Sequence, residues 1–275
     1  LTRGYGGKSN KPVNVVCDGK SVLLSPEWVG DEAVMMAEKL KNVPIITGSD
    51  RLQTGRYALE NYEVDTLILD DGFQHLALRR DLDILLCDHQ KPLGNNHIFP
   101  AGELREPASE SRRADMVCFT RYLGGPIKFP SKYLGSMPQI KTHLRLDSLI
   151  NMETGDVCDV DVLKNQPVVA FCGIANPEGF RQILQDTQAQ LKVFKAFPDH
   201  HEYSLNDIKE LESRALQEEA KFILVSEKDA VKLKDIKFSF PVYKVVIDLE
   251  ILEGREIFNN QITTSRRSTT NRGGN

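Results

Sequence analysis

The sequence lacks any long apolar run, any closely spaced pair of cysteines and any marked excess of one charge. No stretch approaches the roughly 18 apolar residues that a membrane-spanning helix needs, which excludes a membrane span within these residues. The five cysteines form no C-x-x-C motif, so they favour small buried side chains in a reducing compartment over disulfides or zinc ligands. Lys and Arg total 35 against 39 Asp and Glu, and this balance offers no general attraction for nucleic acid or anionic lipid.

What is present is the composition of a soluble globular protein, with 40% hydrophobic and 27% charged residues in a chain of 275. That length accommodates one large domain or two small ones. A glycine-rich turn, Arg3–Gly7, follows almost directly on the first residue, from which we expect further sequence upstream. At the other end, residues 263–275 are polar and aperiodic, which predicts a disordered tail.

Helical and extended patterns alternate along the first half of the chain. The acidic start and basic end of residues 31–41 predict a helix, and a second helix is expected over residues 54–61. Short apolar runs that end in polar residues predict parallel strands covered on both faces. These runs are VPIITG (43–48), TLILDD (66–71), DILLCD (83–88) and ADMVCFTR (114–121).

The pattern loosens over residues 124–165, which we interpret as a crossover or subdomain junction. It would connect a core over residues 1–123 to a C-terminal α/β part over residues 166–262. In that last part strands again alternate with amphipathic helices, and Ser204 with Asp207 predicts a capped helix start. Together these patterns predict an α/β fold with a mostly parallel sheet and flanking helices.

Two adjacent acids, Asp70 and Asp71, end the predicted strand TLILDD and precede Gly-Phe-Gln-His. Adjacent carboxylates repel each other, and ligands of open α/β sheets bind at the carboxyl ends of strands. A bound Mg²⁺ ion would compensate for both charges. The alternative is that one acid caps a turn while the other is solvated.

Four other polar positions leave alternatives open. Asp31 in Gly-Asp-Glu is a catalytic candidate or an ordinary helix N-cap acid. The adjacent His200 and His201 could bind metal, act as a base or be surface residues. Arg105, on a loop bounded by Pro and Gly, could stabilise phosphoryl charge or form a weak surface ion pair. The glycines of Arg3–Gly7 suit close approach to an anion or a flexible linker.

The order of these motifs resembles one family. RGYGG, GDE, LDDGFQH with L-x-x-D following, PAGxLREP, RAD, FPDHH and SEKDAVKL are similar to the tetraacyldisaccharide 4'-kinases of Gram-negative bacteria. The resemblance implies a P-loop NTPase-like fold with a second, smaller α/β subdomain. It implies transfer of the γ-phosphate of ATP to the 4'-hydroxyl of a tetraacylated glucosamine disaccharide 1-phosphate, the lipid A precursor. It further implies peripheral contact with the cytoplasmic face of the inner membrane and no binding of nucleic acid.

The resemblance also implies a role for each motif residue. Asp31 is the implied base for the sugar hydroxyl, with His200 preferred to His201 as its partner, and Arg105 neutralises transition-state charge. The implied Mg²⁺ ligands are Asp70, Asp71 and Glu106. The residues implied to line the site for ATP or the lipid headgroup are Arg3, Tyr5, Gln74 and His75.

The family's phosphate-binding pattern, G-x-x-x-x-G-K-[ST], does not occur in these residues. Because that loop and its lysine cradle the ATP phosphates, we expect the chain to be a kinase fragment that is inactive, or nearly so, by itself. Two other interpretations stay open. One is a non-catalytic relative that binds a lipid or a partner, and the other is a metal-dependent hydrolase built from Asp70, Asp71, His75 and the histidine pair.

Overall fold

A computed structural model describes residues 1–270, with the side chains of residues 1–265. It contains two compact units, each made of two stretches of chain. The first unit consists of Leu1–Asp70 and Arg145–Asp248, and the second of Asp71–Leu144 and the residues from Leu249 onward. One of the points where the chain passes between units, after Leu144, falls inside the predicted junction over residues 124–165.

Strands and helices alternate along the chain, as its pattern predicts. In chain order they are β1 (Asn14–Asp18), α1 (Pro26–Val29), α2 (Asp31–Lys39), β2 (Pro44–Thr47), α3 (Arg51–Asn61), β3 (Ile84–Asp88), β4 (Met116–Thr120), α4 (Ser131–Leu134), β5 (Gln139–Asn151), β6 (Val157–Cys158), β7 (Pro167–Cys172), α5 (Pro177–Asp186), β8 (Gln190–Ala196), α6 (Leu205–Gln217), β9 (Phe222–Ser226), α7 (Glu227–Ala230), β10 (Val242–Glu253) and α8 (Arg255–Thr270). Short 3-10 helices cover Ala108–Arg113 and Val160–Leu163.

The first unit holds a small antiparallel sheet and a larger parallel one. β1 pairs with β2 antiparallel, so the run VPIITG (43–48) forms an antiparallel strand and its prediction as a parallel strand is wrong. By contrast, β10, β9, β7 and β8 lie side by side in that order and run parallel. The α/β fold with a mostly parallel sheet is therefore confirmed. Parallel pairing also brings the carboxyl ends of β8, β7 and β9 to one edge of the sheet.

Two helices of the first unit pack their apolar faces on its sheets. Ile208, Leu211 and Ala215 of α6 recur at helical spacing and pack on the buried side chains of β7 and β9. The predicted cap of this helix is confirmed, because Ser204 and Asp207 form a reciprocal capping box. Ala33, Val34 and Ala37 of α2 pack in the same way on the small sheet.

The second unit is built on β3, β4 and β5, which run parallel in that order. Met116, Cys118 and Ile140 form a buried face of these strands, and Phe258 of α8 covers it. No helix in the described part of the chain is long and apolar enough to cross a membrane.

The run TLILDD is not a strand, contrary to its prediction. This run forms two strand-type backbone hydrogen bonds, both with Leu1. The amino group of Leu1 donates to the carbonyl of Ile68 at 2.7 Å, and the amide of Asp70 donates to the carbonyl of Leu1 at 2.9 Å. A strand requires a paired neighbour over several residues, and an apolar pattern alone does not provide one.

Helix α8 includes residues 263–270, the first part of the stretch for which the sequence predicts a disordered tail. The Thr263 hydroxyl donates to the carbonyl of Asn259, and the Ser265 hydroxyl donates to that of Gln261. Polar residues in a helix can thus satisfy the hydrogen-bonding capacity of their hydroxyl groups with backbone carbonyls one turn earlier. Residues 271–275 of the predicted tail lie outside the described part of the chain.

Candidate active site

The carboxyl edge of the parallel sheet in the first unit carries a cluster of charged residues. Gly173 follows β7, and its amide donates to Asp229 Oδ2 at 2.8 Å. The carbonyl of the same residue accepts from the amide of His200 at 3.1 Å. One turn therefore fixes both the loop after β8 and the short helix α7 after β9.

Asp31 joins this cluster from the start of α2. It is only 4% exposed, and its Oδ2 lies 3.1 Å from His200 Nδ1. Gly30, not Asp31, occupies the N-cap position, so the interpretation of Asp31 as the N-cap residue is wrong. The Asp31 side chain is consequently directed to the histidine, while its Oδ1 accepts from the amide of Glu32 at 3.0 Å.

The two adjacent histidines have different environments. His200 adopts a φ of 60°, in the left-handed region that few non-glycine residues occupy, and this conformation presents its ring to Asp31. His201 instead stacks on Phe197 at 4.5 Å and lies 3.3 Å from the capping acid Asp207. The structure thus brings His200, rather than His201, against Asp31.

Two lysines complete the cluster, and sequence reasoning assigned no role to either. Lys228 Nζ lies 3.1 Å from carboxylate oxygens of both Glu32 and Asp199. Lys232 Nζ lies 3.5 Å from Asp31 Oδ2. The available signal was their spacing in SEKDAVKL, since residues four apart share a helix face.

The protonation of Lys228 follows from these neighbours. Burial lowers the pKa of Lys228, but the carboxylates of Asp31, Glu32 and Asp199 more than offset it, so the net pKa is raised above its usual value. Lys228 is therefore an ammonium group throughout the neutral pH range.

The glycine-rich turn Arg3–Gly7 lies against the cluster. A Cβ on Gly30 would be 2.3 Å from the Tyr5 carbonyl oxygen, and one on Gly7 would be 2.4 Å from the Trp28 carbonyl oxygen. These glycines therefore permit close packing of protein backbone on backbone, which argues against a flexible linker. Tyr5 is 71% exposed and its ring lies 5.6 Å from that of His200, while Arg3 is exposed.

Asp70 and Asp71 lie in different units, although they are adjacent in the chain. Within the first unit, Asp70 Oδ2 accepts from the Thr2 hydroxyl at 2.9 Å. Asp71 has a φ of 51° and, within the second unit, accepts two hydrogen bonds from Arg105 at 2.5 and 2.6 Å. Both side chains of that ion pair are more than half exposed.

Further contacts in the second unit join the segment Gly-Phe-Gln-His to the loop Leu-Arg-Glu-Pro. Gln74 donates to Glu106 at 3.0 Å, and Arg113 donates to both oxygens of Glu106 at 2.9 and 3.0 Å. Arg113 also covers the Phe73 ring at 4.7 Å. His75 Nε2 is buried and has no hydrogen-bond partner among the described residues. Arg113, the arginine of the RAD motif, thus contacts both of these segments.

The acids implied as Mg²⁺ ligands have the carboxylate oxygens that Mg²⁺ prefers, but they do not form a preformed metal site. No group of three or more His, Cys, Asp or Glu side chains in the described part of the chain is arranged to hold a metal. Mg²⁺ nevertheless commonly takes only one or two carboxylates and fills its remaining positions with phosphate oxygens and water. Asp70, bonded to a neutral hydroxyl, fits this role more simply than Asp71 or Glu106, which hold arginines.

We expect Asp229→Asn to lower the free energy of unfolding by about 3 kcal/mol. Asp229 is fully buried, accepts from Gly173 and Ser226, and pairs with Lys232 at 3.1 Å, so the neutral variant removes the nearer of the two carboxylates that face the Lys232 ammonium. Urea denaturation measures the loss. The same change at the exposed Asp235 serves as control, and equal stability of the two variants would contradict the prediction.

The sequence of this chain matches those of known proteins. Residues 1–266 match the family model described as tetraacyldisaccharide-1-P 4'-kinase. The tetraacyldisaccharide 4'-kinase of Syntrophus aciditrophicus is 39% identical over 91% of this chain and 71% of its own length. That of Pelobacter propionicus is also 39% identical, over 85% of this chain and 64% of its own length.

A solved structure agrees with these matches. LpxK from Aquifex aeolicus in complex with ATP superposes with a TM-score of 0.78 at 32% identity, covering 96% of this chain and 78% of that one. The family model and this structural match thus define the class as an α/β kinase with the P-loop kinase fold. Within that class, the chain belongs to the tetraacyldisaccharide-1-P 4'-kinase family. The resemblance found in the motifs is confirmed.

Proposed function

We propose that this chain carries the catalytic residues for transfer of the γ-phosphate of ATP to the 4'-hydroxyl of a tetraacylated glucosamine disaccharide 1-phosphate, a step of lipid A biosynthesis. Family membership supports the activity, and the related Aquifex structure in complex with ATP supports the nucleotide. The observation that carries the catalytic proposal is the buried Asp31 carboxylate, 3.1 Å from His200 at the carboxyl edge of the sheet.

Asp31 would accept the proton of the 4'-hydroxyl as the oxygen attacks the γ-phosphorus. A carboxylate is suited to this task because phosphoryl transfer needs a positioned acceptor more than covalent chemistry. His200 would orient Asp31 by donating from Nδ1 to Oδ2. His201 would act only in the packing of its loop, since it is held by Phe197 and Asp207. The histidines therefore do not share one ligand set, which disfavours the hydrolase interpretation.

Arg105 would supply charge neutralisation. Arg105 is charged at every working pH, because its hydrogen bond with Asp71 raises its pKa further. Its exposed guanidinium is available to phosphoryl oxygens. Gln74 and His75 would line this part of the site, with Glu106 holding Gln74 and Arg113 holding Glu106.

Mg²⁺ would be held by Asp70, with Asp71 and Glu106 as the other proposed ligands. When bound, the ion would supply positive charge to the phosphate oxygens.

Arg3 and the exposed ring of Tyr5 would contact the phosphates or the lipid headgroup, beside His200. The reaction would take place at the cytoplasmic face of the inner membrane, where the protein would bind peripherally, with no part for nucleic acid.

The test is transfer of labelled γ-phosphate from ATP to the tetraacyldisaccharide 1-phosphate, with the product of the complete reading frame. A disaccharide whose 4'-hydroxyl is methylated should accept no label. Excess EDTA should lower the rate by at least about 100-fold, with recovery on adding Mg²⁺. Label on the methylated acceptor would overturn the assigned position, and transfer unaffected by EDTA would overturn the Mg²⁺ proposal.

A further inference from the structure

Lys228 contacts His200 at the ring nitrogen that does not face Asp31. Its Nζ lies 3.3 Å from His200 Nε2, while the other ring nitrogen, Nδ1, lies 3.1 Å from Asp31 Oδ2. The side chain of Lys228 is only 12% exposed, so this contact is made largely out of water. The imidazole is therefore held between a cation and an anion.

Hydrogen-bond chemistry gives one tautomer for this arrangement. An ammonium group can only donate, so Nε2 must offer its lone pair to Lys228. An ionised carboxylate can only accept, so Nδ1 must carry the proton that it shares with Asp31. Both neighbours select the same neutral ring, with the proton on Nδ1.

The remaining groups around His200 do not reverse this assignment. The Tyr5 ring lies 5.6 Å from the His200 ring and is tilted by 51° to it. Asp199 Oδ2 lies 3.7 Å from Nε2, but Asp199 is itself bonded to Lys228 at 3.1 Å. Behind Asp31, Lys232 supplies a second positive charge at 3.5 Å.

We propose that Lys228 is a positioning residue that fixes His200 as the neutral Nδ1–H tautomer and thereby leaves Asp31 as the final acceptor of the substrate proton. The second half of this statement rests on the proposed kinase function. The proton released by the sugar hydroxyl goes to the Asp31 carboxylate, and the Nδ1–H proton of His200 stays in place. A second proton on Nε2 would meet the ammonium group of Lys228 and is opposed by it.

The proposal is tested by ¹⁵N NMR of selectively labelled histidine, with His200→Gln used to assign the signals. In the unsubstituted protein, His200 should show protonated Nδ1 and unprotonated Nε2. In Lys228→Met, the ratio of protonated to unprotonated Nε2 of His200 should rise about tenfold, because no ammonium group then occupies the Nε2 lone pair. Lys228→Arg keeps the charge and should retain the original ratio.

Lys234→Met is the matched control, because Lys234 pairs with Glu38 rather than with the cluster, and it should change nothing. A merely structural role for Lys228 would not give a charge-dependent ratio that arginine restores. If Lys228→Met does not fold, Lys228→Gln provides the same uncharged comparison. A proton on Nε2 in the unsubstituted protein, or an unchanged ratio in both uncharged variants, would overturn the proposal.

Activity gives a second readout. In Lys228→Met, kcat should fall about tenfold with little change in KM, because a ring protonated on Nε2 orients Asp31 less well, and Lys228→Arg should keep the normal kcat. The NMR measurement needs neither ATP nor disaccharide. A failed transfer assay would therefore remove the kinase proposal and leave the tautomer assignment standing, and the reverse outcome would remove only the role of Lys228.

Discussion

Asp31→Asn should lower kcat about 1,000-fold while changing the affinities for ATP and the disaccharide little. The amide has nearly the shape of the carboxylate but cannot accept the proton of the attacking hydroxyl. Its burial at 4% exposure prevents water from taking over the position easily. Single-turnover transfer of labelled phosphate from bound ATP measures the chemical step directly.

The control for this variant is Asp186→Asn, the same substitution at an exposed position at the end of α5. Loss of stability must also be checked, because Lys232 lies 3.5 Å from Asp31 and loses a counter-charge in the variant. A folded Asp31→Asn protein that transfers phosphate within about tenfold of the normal rate would contradict the assignment of Asp31 as the base.

Arg105→Ala should lower kcat by about 100-fold to 1,000-fold with almost no change in the free energy of unfolding. The ion pair between Arg105 and Asp71 is more than half exposed on both sides, and such pairs contribute little to stability. A positive charge directed at a transferring phosphoryl group has a much larger effect on rate. Steady-state transfer and urea denaturation, measured on the same preparation, separate the two quantities.

Arg79→Ala is a suitable comparison, because Arg79 is an exposed arginine of the same unit. Arg105→Lys tells charge from geometry, since lysine keeps the charge but not the paired donors. If Arg105→Ala loses stability and activity in proportion, the arginine holds the loop together and does not act on phosphate.

Local patterns predicted most elements of this fold, because their burial can be read from a few neighbouring residues. The helix at Asp31–Lys39 and the capping box of Ser204 and Asp207 are both encoded within one or two turns. The failure at TLILDD has the opposite origin. Its apolar residues resemble a strand, but a strand depends on what lies beside it, and the run alone cannot specify that.

The candidate site shows the same limit. Asp31 and His200 are 169 positions apart in the chain, and only the family resemblance suggested that they meet. Lys228 and Lys232 were visible as a pair at helical spacing, yet nothing local indicates that one faces His200 and the other Asp31. Asp70 and Asp71 illustrate the converse, because adjacent residues belong to different units.

The measurement that tests the central claim most directly is a double-mutant cycle on Asp31 and His200. Single-turnover rates would be compared for Asp31→Asn, His200→Gln and the doubly substituted protein. If His200 acts only through Asp31, the double variant should be no slower than Asp31→Asn alone, because residues that act as a unit are not additive. Losses that multiply would show that the two residues act independently, and would contradict the proposed Asp31–His200 pair.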